Sequence, residues 1–197
     1  MLTLSIDTST PLGTVALGND KVIVREIEFQ GPQRHSSTLF PALMQIGLPR
    51  LQLNRIIVGL GPGSFSGIRV ALAAAQAIAL VQSVPLVGIC SAHSIGLQFR
   101  RIARLGVFAD ARRGEYYGTF FTRGKLESGP LLFPDSEIDK YLRKVTLGVT
   151  SEDHPLIAER AYPRASDYFS FPPDFDGWVE GAHLEPIYLR EPLEAKK

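Results

Sequence analysis

The stretch LSIDTSTPLGTVALGNDKV, residues 4–22, contains two predicted strands on either side of a polar turn. The first strand is the alternating run LTLSID at 2–7, which ends at Asp7, and the second is GTVALG, which begins at Gly13. A glycine-containing turn at 18–20 then leads into a third strand, KVIVREIEF. The chain is therefore predicted to begin with a three-stranded antiparallel meander.

The same pattern restarts at GVFADARRGEYYGTFFTRGKL, residues 106–126. Each stretch has an apolar strand that ends in an aspartate, Asp7 or Asp110, followed by a polar turn and a strand that begins near Gly-Thr. Repetition of such a unit indicates a duplicated lobe. We therefore predict an α/β fold of two related lobes, residues 1–104 and 105–197. The second lobe is predicted to be shortened.

A glycine-rich loop, GLGPGSFSG at 59–67, joins a short apolar strand to a long apolar helix predicted over 67–83. Free N–H groups at the start of such a helix can bind a phosphate. The loop lacks Gly-Lys-Ser/Thr, and the Gly-x-Gly-x-x-Gly spacing from Gly61 meets Ser66. Neither serine of the loop has the flanking glycines of a nucleophile elbow. The spacing favours a tightly packed turn over a phosphate loop.

Acidic side chains at the two equivalent strand ends are candidate ligands for a nucleotide. Asp7, followed by Thr8 and Ser9, has the oxygen donors to hold a hydrated Mg²⁺ beside a phosphate. Asp110 occupies the matching place in the second repeat. Each carboxylate can equally close its own hairpin as an Asx turn. The pattern predicts either a nucleotide site between the lobes or two structural turns.

Composition narrows the classes of function. The 197 residues carry a net charge of +1, which offers no broad field for nucleic acid. The single cysteine, Cys90, excludes an internal disulfide, and no two of the four histidines are spaced as a helical metal-ligand pair. The apolar run 70–81 is shorter than a membrane span, and the N-terminus lacks the basic region of a signal peptide. We expect a cytoplasmic protein without metal or membrane contact.

Six motifs together resemble the TsaB family, also called YeaZ. They are IDTST at 6–10, RHSSTLFPAL at 34–43, GPGSFSGIRVALAAAQAIAL at 61–80, PLVGIC at 85–90, DARRGEYY at 110–117 and PIYLR at 186–190. The resemblance covers residues 1–126 well, and its most specific motif runs from Gly61 to Arg69. It implies an actin-like ATPase fold (the ASKHA group, ribonuclease H-like) of two related lobes, in agreement with the restart at residue 106.

The resemblance also implies a function. TsaB proteins are non-catalytic subunits of the bacterial machinery that forms N6-threonylcarbamoyladenosine at position 37 of tRNAs reading ANN codons. Their partners are the paralogous transferase TsaD and the ATPase TsaE, and the complex uses ATP and threonylcarbamoyl-AMP. The chain is therefore expected to need no cofactor of its own, to form a homodimer when alone and to meet tRNA only through the complex.

The catalytic relative TsaD carries a His-x-x-x-His pair that holds a metal, and the matching positions here are Ser91 and Ile95. Two imidazoles one helical turn apart are what that metal needs. The resemblance thus implies an accessory subunit without catalytic or metal-binding residues, and at most a vestigial nucleotide pocket at Asp7, Thr8, Ser9 and Asp110. The alternative is an independent ATPase or sugar kinase of the same fold, with Asp7 and Asp110 as metal-site acids.

In the family, helices of the first lobe form the interface with TsaD, and the same surface forms the homodimer. The 67–83 helix is rich in alanine, which allows close approach of a neighbour, although packing inside one lobe explains that composition equally well. The expected interface residues are His35, Leu39, Leu43, Ile46, Gly63, Phe65, Gly67, Arg69, Ala73, Gln76 and Ala77.

Overall fold

A computed structural model describes residues 1–19, 21–30, 35–180 and 184–187. The chain begins with three strands joined by turns. They are β1 (Leu2–Asp7), β2 (Leu12–Asn19) and β3 (Val22–Gln30). β1 pairs antiparallel with β2, and β2 pairs antiparallel with β3. The predicted meander is therefore confirmed.

Two parallel strands extend this sheet on the other side of β1. β4 (Arg55–Gly59) pairs with β1, and β5 (Leu86–Ile89) pairs with β4. The side chains of both strands are almost all buried, so the residues form continuous apolar runs without the alternation of a half-exposed strand. The short apolar strand predicted before the glycine-rich loop is β4, so that prediction is confirmed.

Two helices cover one face of the first sheet, α1 (His35–Gln45) and α2 (Phe65–Gln82). α1 ends at Gln45, because Gly47 takes a φ of 96°, a left-handed conformation that ends the helix. α2 begins two residues earlier than predicted, because the Ser64 hydroxyl accepts a hydrogen bond from the Gly67 N–H at 3.3 Å and caps its first turn.

α2 is longer than the apolar run seen in the sequence. With 18 residues and a mean hydropathy of 1.4, it is the described helix that has the length and composition of a membrane span. Its buried residues, which include Ala71, Leu72 and Ala75, pack into the core of the first lobe. α2 is therefore a core helix of the first lobe, packed against its sheet.

The second sheet repeats the first. β6 (Arg104–Arg112), β7 (Glu115–Thr122) and β8 (Lys125–Pro134) form another antiparallel meander. β9 (Leu147–Thr150) pairs parallel with β6, and β10 (Glu159–Arg160) pairs parallel with β9. The strand order β10-β9-β6-β7-β8 of the second sheet corresponds to β5-β4-β1-β2-β3 of the first. Each pair of neighbouring strands is also parallel or antiparallel in the same way in both sheets. The duplication is confirmed, and with it the α/β actin-like fold class.

The second lobe is shortened at one identifiable place. Residues 60–85, including α2, connect β4 to β5, whereas only residues 151–158 connect β9 to β10. The short α4 (Ile138–Leu142) follows the second meander as α1 follows the first. Among the described residues the second sheet has no counterpart of α2, and α3 (Ala92–Gln98) instead packs between the lobes against β6.

The segment after β10 returns to the first lobe. A 3-10 helix, Ala165–Ser170, packs against β1 and β2, and β11 (Trp178–Glu180) pairs antiparallel with β5. The predicted division placed this segment in the second lobe, 105–197, and we correct that assignment because its backbone completes the first sheet. A three-residue strand is too short to show a period in the sequence.

Candidate functional site

The carboxylate of Asp7, at the end of β1, is only 1% exposed and is bonded on both oxygens. Oδ1 accepts hydrogen bonds from the backbone N–H of Ser9 at 2.8 Å and from its hydroxyl at 2.6 Å. Oδ2 accepts from the hydroxyl of Ser91 at 2.6 Å and from the phenol of Tyr168. A carboxylate has about four acceptor sites. Donors of the same chain therefore saturate the carboxylate that was a candidate ligand for a hydrated Mg²⁺.

Ser91 links Asp7 to the glycine-rich loop. Its hydroxyl accepts from the backbone N–H of Gly61 at 3.0 Å while it donates to Asp7. It directly precedes α3 but makes no side-chain capping hydrogen bond with that helix. A Cβ added to Gly59 would lie 1.9 Å from Oδ2 of Asp7, which shows how closely this backbone approaches the carboxylate.

Tyr168 reaches Asp7 because the 3-10 helix Ala165–Ser170 is held by the first sheet. The Ser5 hydroxyl donates to the backbone oxygen of Ala165 at 2.7 Å, and the Ala165 N–H donates to the hydroxyl of Thr14 at 2.9 Å. Tyr168 is completely buried, and burial beside the Asp7 carboxylate raises its pKa well above the usual value. Its phenol therefore remains a hydrogen-bond donor at neutral pH.

The glycine-rich loop packs directly against the β1–β2 turn. The Ser64 N–H donates to the backbone oxygen of Ser9 at 2.7 Å, and the Thr8 hydroxyl donates to the backbone oxygen of Gly67 at 2.7 Å. A Cβ on Gly63 would lie 2.1 Å from that same Ser9 oxygen, so glycine is required for this close approach. The loop is therefore packed tightly against the neighbouring turn, as the tight-turn interpretation predicts.

Between the lobes, the space beside Ser91 is a cavity of about 20 Å³. It is lined by both repeats, with Thr10 and Pro62 on one side and Val107 and Thr119 on the other. The Thr119 hydroxyl is buried without a protein partner in the described part of the chain. A cavity of this size holds about one water molecule, which would satisfy that hydroxyl.

Asp110 stands at the end of β6 but not in the Asp7 cluster. It accepts hydrogen bonds from the backbone N–H of Arg112 at 2.6 Å and from its guanidinium at 2.8 Å, as an Asx-type turn does. Glu152 lies on the other side of Arg112, and its burial, together with the charge of Asp110, raises its pKa. Among the described residues no hydrogen bond joins Asp110 to Asp7, so the structure brings Asp7, Thr8 and Ser9 together but not Asp110.

Several residues expected at a partner interface lie inside the first lobe. Leu39 and Leu43 of α1 and Ile46, which directly follows it, are buried in the core, and Gly67 of α2 is buried beside Thr8. We correct these four assignments, because a side chain packed on the sheet is not available to a partner. Gly63 and Gln76 are half-buried, and the side chain of His35 lies outside the described residues.

The opposite sides of α1 and α2 form an exposed apolar surface. On α2, four of the residues expected at the interface, Phe65, Arg69, Ala73 and Ala77, are exposed and follow one another at helical spacing. Four large exposed side chains that were not predicted from the sequence, Phe40, Met44, Leu80 and Val81, extend this surface. We define the helical face as Phe40, Met44, Phe65, Ala73, Ala77, Leu80 and Val81. A signal for the missed residues exists, since each lies at i+3, i+4 or i+7 from an exposed neighbour.

Comparison with known proteins gives the following relatives. Residues 33–158 match the family model described as TsaD: tRNA N6-adenosine threonylcarbamoyltransferase. An uncharacterized protein of Mycobacterium tuberculosis is 30% identical and is matched over 96% of this chain and 92% of its own length. The tRNA threonylcarbamoyladenosine biosynthesis protein TsaB of Escherichia coli is 28% identical, over 100% of this chain and 98% of its own. The chain spans 55% of the length of an uncharacterized Mycobacterium leprae relative.

Two solved structures from Pseudomonas aeruginosa share the fold over nearly the whole chain. An uncharacterized protein with similarity to peptidase YeaZ superimposes with a TM-score of 0.76 at 22% identity, covering 96% of this chain and 99% of its own. YeaZ superimposes with a TM-score of 0.72 at 21% identity, covering 95% and 99%. The likeness to both structures therefore extends over the whole fold of this chain.

Proposed function

This chain belongs to the TsaB/YeaZ family, and we propose that it is the non-catalytic partner of a TsaD-type transferase in forming N6-threonylcarbamoyladenosine on tRNAs that read ANN codons. The observation that carries the proposal is the buried Asp7 carboxylate, whose oxygens are taken by Ser9, Ser91 and Tyr168. A carboxylate that binds Mg²⁺ beside a phosphate needs free oxygen lone pairs. The chain keeps the two-lobed frame without the metal chemistry.

The positions that match the metal-binding pair of the catalytic paralogue support the same proposal. Ser91 is engaged with Asp7, and Ile95 is 3% exposed in an apolar cluster between α3 and the second sheet. Neither side chain is a metal ligand. We therefore assign the transfer reaction to TsaD. ATP and threonylcarbamoyl-AMP are used by the complex, and this subunit holds no cofactor or metal of its own.

The helical face is the surface we assign to the partner. Leu80 and Val81 are 81% and 83% exposed, and Arg69 is the one charged residue within α2. An apolar surface of this kind, poor in charge, is typical of a protein interface. We propose that TsaD binds here, that a second copy of this chain occupies the same face when TsaD is absent, and that TsaE joins the heterodimer. Because tRNA is then met in the assembled complex, the proposed location is the cytoplasm.

The alternative, an independent ATPase or sugar kinase, needs a nucleotide between the lobes. The cavity there, of about 20 Å³, is far smaller than the ~300–1,000 Å³ of ordinary ligand sites. Opening it would separate Tyr168 from Asp7 and leave a buried carboxylate short of a donor, which is unfavourable.

Size-exclusion chromatography with light scattering tests the proposal, on the chain alone and mixed with the TsaD of the same cell. We expect a homodimer that converts into a one-to-one complex, and threonylcarbamoyl transfer to tRNA that requires both subunits together with TsaE. In parallel, the chain alone is assayed for Mg²⁺-dependent ATP hydrolysis. A chain that ignores TsaD and hydrolyses ATP with many turnovers would overturn the proposal in favour of the alternative.

A further inference from the structure

One end of the second lobe concentrates positive charge. Three segments, 100–104, 123–127 and 137–144, contain eight lysines and arginines and three acidic residues, whereas the whole chain has a net charge of +1. Backbone hydrogen bonds hold the segments together at the start of β6. The Arg123 N–H donates to the oxygen of Ala103 at 3.3 Å, and the Thr146 N–H donates to the oxygen of Arg104 at 2.8 Å. We call this region the basic end.

The acidic residues of the basic end do not neutralise it. Each acid has one cation of its own: Glu127 pairs with Arg104, Glu137 with Lys140 and Asp139 with Arg143. Three further cations, Arg101, Arg123 and Lys125, are exposed, and none of them forms an ion pair with a carboxylate of the described residues. Like charges held this close repel one another, so the arrangement favours a polyanionic partner.

A pocket of about 240 Å³ opens among these charges. Its lining includes Phe120 and Tyr141 together with the charged residues Arg104, Glu127 and Lys144. The two rings are stacked, with centroids 5.6 Å apart and planes at 25°. The ammonium of Lys144 lies 5.4 Å from the Tyr141 ring. The volume is below the ~300–1,000 Å³ of sites that enclose a drug-sized molecule, so it suits one planar ring.

We propose that the basic end is an RNA-binding surface. One unpaired base enters the pocket against Tyr141 and Phe120, and the neighbouring phosphates contact Arg101, Arg123 and Lys125. Single-stranded RNA is the partner that offers a dense row of phosphates and free aromatic rings together, and stacking on side-chain rings tolerates any base. An anionic membrane would use the charges but has no ring for the pocket, and an acidic protein segment carries its charges on flexible side chains without the regular row of phosphates that RNA has.

The inference goes beyond the proposed function, and it rests on that function only for identifying the RNA as tRNA. The helical face belongs to the first lobe and the basic end to the second, and they share no residue. The two surfaces can therefore be tested separately. In the complex with TsaD, the basic end would add phosphate contacts from this subunit to those of the transferase.

The test measures tRNA affinity between about 50 and 200 mM salt, because phosphate contacts cause most of the loss of affinity over that range. It is made on the full chain alone and on its complex with TsaD. The triple variant Arg101→Ala/Arg123→Ala/Lys125→Ala removes three phosphate contacts, so we expect the slope of log K against log salt to become shallower by about 2. Tyr141→Leu should weaken binding by about fivefold or more at an unchanged slope. Arg50→Ala, an exposed cation of the first lobe, is the matched control and should change neither quantity.

Each remaining outcome is decisive. The triple variant changes only exposed side chains, so it decides the question even where Tyr141→Leu fails to fold. Affinity and slope that stay unchanged in both preparations overturn the inference, as does a loss of binding to phosphatidylserine vesicles or to polyglutamate without a loss for tRNA. Failure to form a complex with TsaD contradicts the proposed function instead, and the chain alone then still decides whether the basic end binds RNA.

Discussion

The hydroxyl of Tyr168 donates a hydrogen bond to Oδ2 of Asp7, although 161 positions separate the two residues in the sequence. The contact joins the end of the first strand to the segment that returns from the second lobe. It covers the carboxylate that the fold would otherwise present between its two repeats. The Asp7 carboxylate is therefore covered because the chain returns to the first lobe and places the 3-10 helix Ala165–Ser170 on β1 and β2.

Tyr168→Phe tests the importance of that contact for stability. The change leaves the ring in place but removes one donor from a buried carboxylate, so we expect a loss of about 1–3 kcal/mol in the free energy of unfolding. Urea denaturation measures it. Tyr162→Phe, a half-buried tyrosine outside the Asp7 cluster, should cost less than about 0.5 kcal/mol. Equal effects of the two changes would mean that the Asp7 contact has no special weight.

Gly59→Ala tests the close approach of the backbone to Asp7. The added Cβ would lie 1.9 Å from Oδ2, so either the carboxylate or β4 must move, and we expect a loss of more than about 3 kcal/mol or no soluble protein. Gly114→Asn is the matched control, because that glycine has open space and a φ of 73°, which asparagine tolerates. If Gly59→Ala unfolded at the same temperature as the wild type, the backbone of Gly59 would approach Asp7 less closely than described.

Leu80→Asp tests the helical face. The side chain is exposed, so we expect the free energy of unfolding to change by less than about 0.5 kcal/mol. A charge in the centre of an apolar interface should weaken the TsaD complex, and the homodimer, by about 30-fold or more. Calorimetric titration with TsaD gives the affinity. Leu156→Asp, an exposed leucine of the second lobe, should bind normally. The reverse pattern would move the interface to the second lobe.

His93 makes stability depend on pH. It lies among aromatic rings of both lobes, 5.7 Å from Phe121 and 5.0 Å from Phe175 between centroids, and burial lowers its pKa although Asp176 partly opposes the shift. The unfolded chain therefore binds the proton more tightly than the folded one. The resulting stability is complete above about pH 6.5 and is lost as pH falls from there towards the folded pKa, by up to about 1.4 kcal/mol per pH unit.

The variant His93→Leu replaces the imidazole by an apolar side chain of similar size, so the titration is lost. We expect its free energy of unfolding to vary less than that of the wild type between about pH 5 and 6.5, a window set by the histidine pKa. Denaturant titrations at several pH values provide the comparison, and only the difference in slope matters, so a constant offset from repacking has no effect. Parallel curves would show that another group causes the acid sensitivity.

The candidate site was only partly predictable. The sequence identified Asp7, Thr8 and Ser9 as one cluster of oxygen donors, because a strand end and the turn beside it are close in the chain, but it did not show that the glycine-rich loop packs against them. It did not find Tyr168, since nothing local distinguishes that tyrosine from the other aromatic residues around it. It also assigned Leu39, Leu43 and Ile46 to a partner surface, whereas they are buried. An apolar helical stripe shows that a face is covered but not by what.

Local pattern alone determined the strands, the restart at residue 106 and the tight glycine turn, because strand alternation, turn chemistry and repeats depend on residues near one another. The tertiary structure alone decided that β11 completes the first sheet and that Ser91 and Tyr168 meet on Asp7. Those contacts join residues far apart in the chain. They form only when folding of the two lobes brings distant segments together, so local sequence propensities do not predict them.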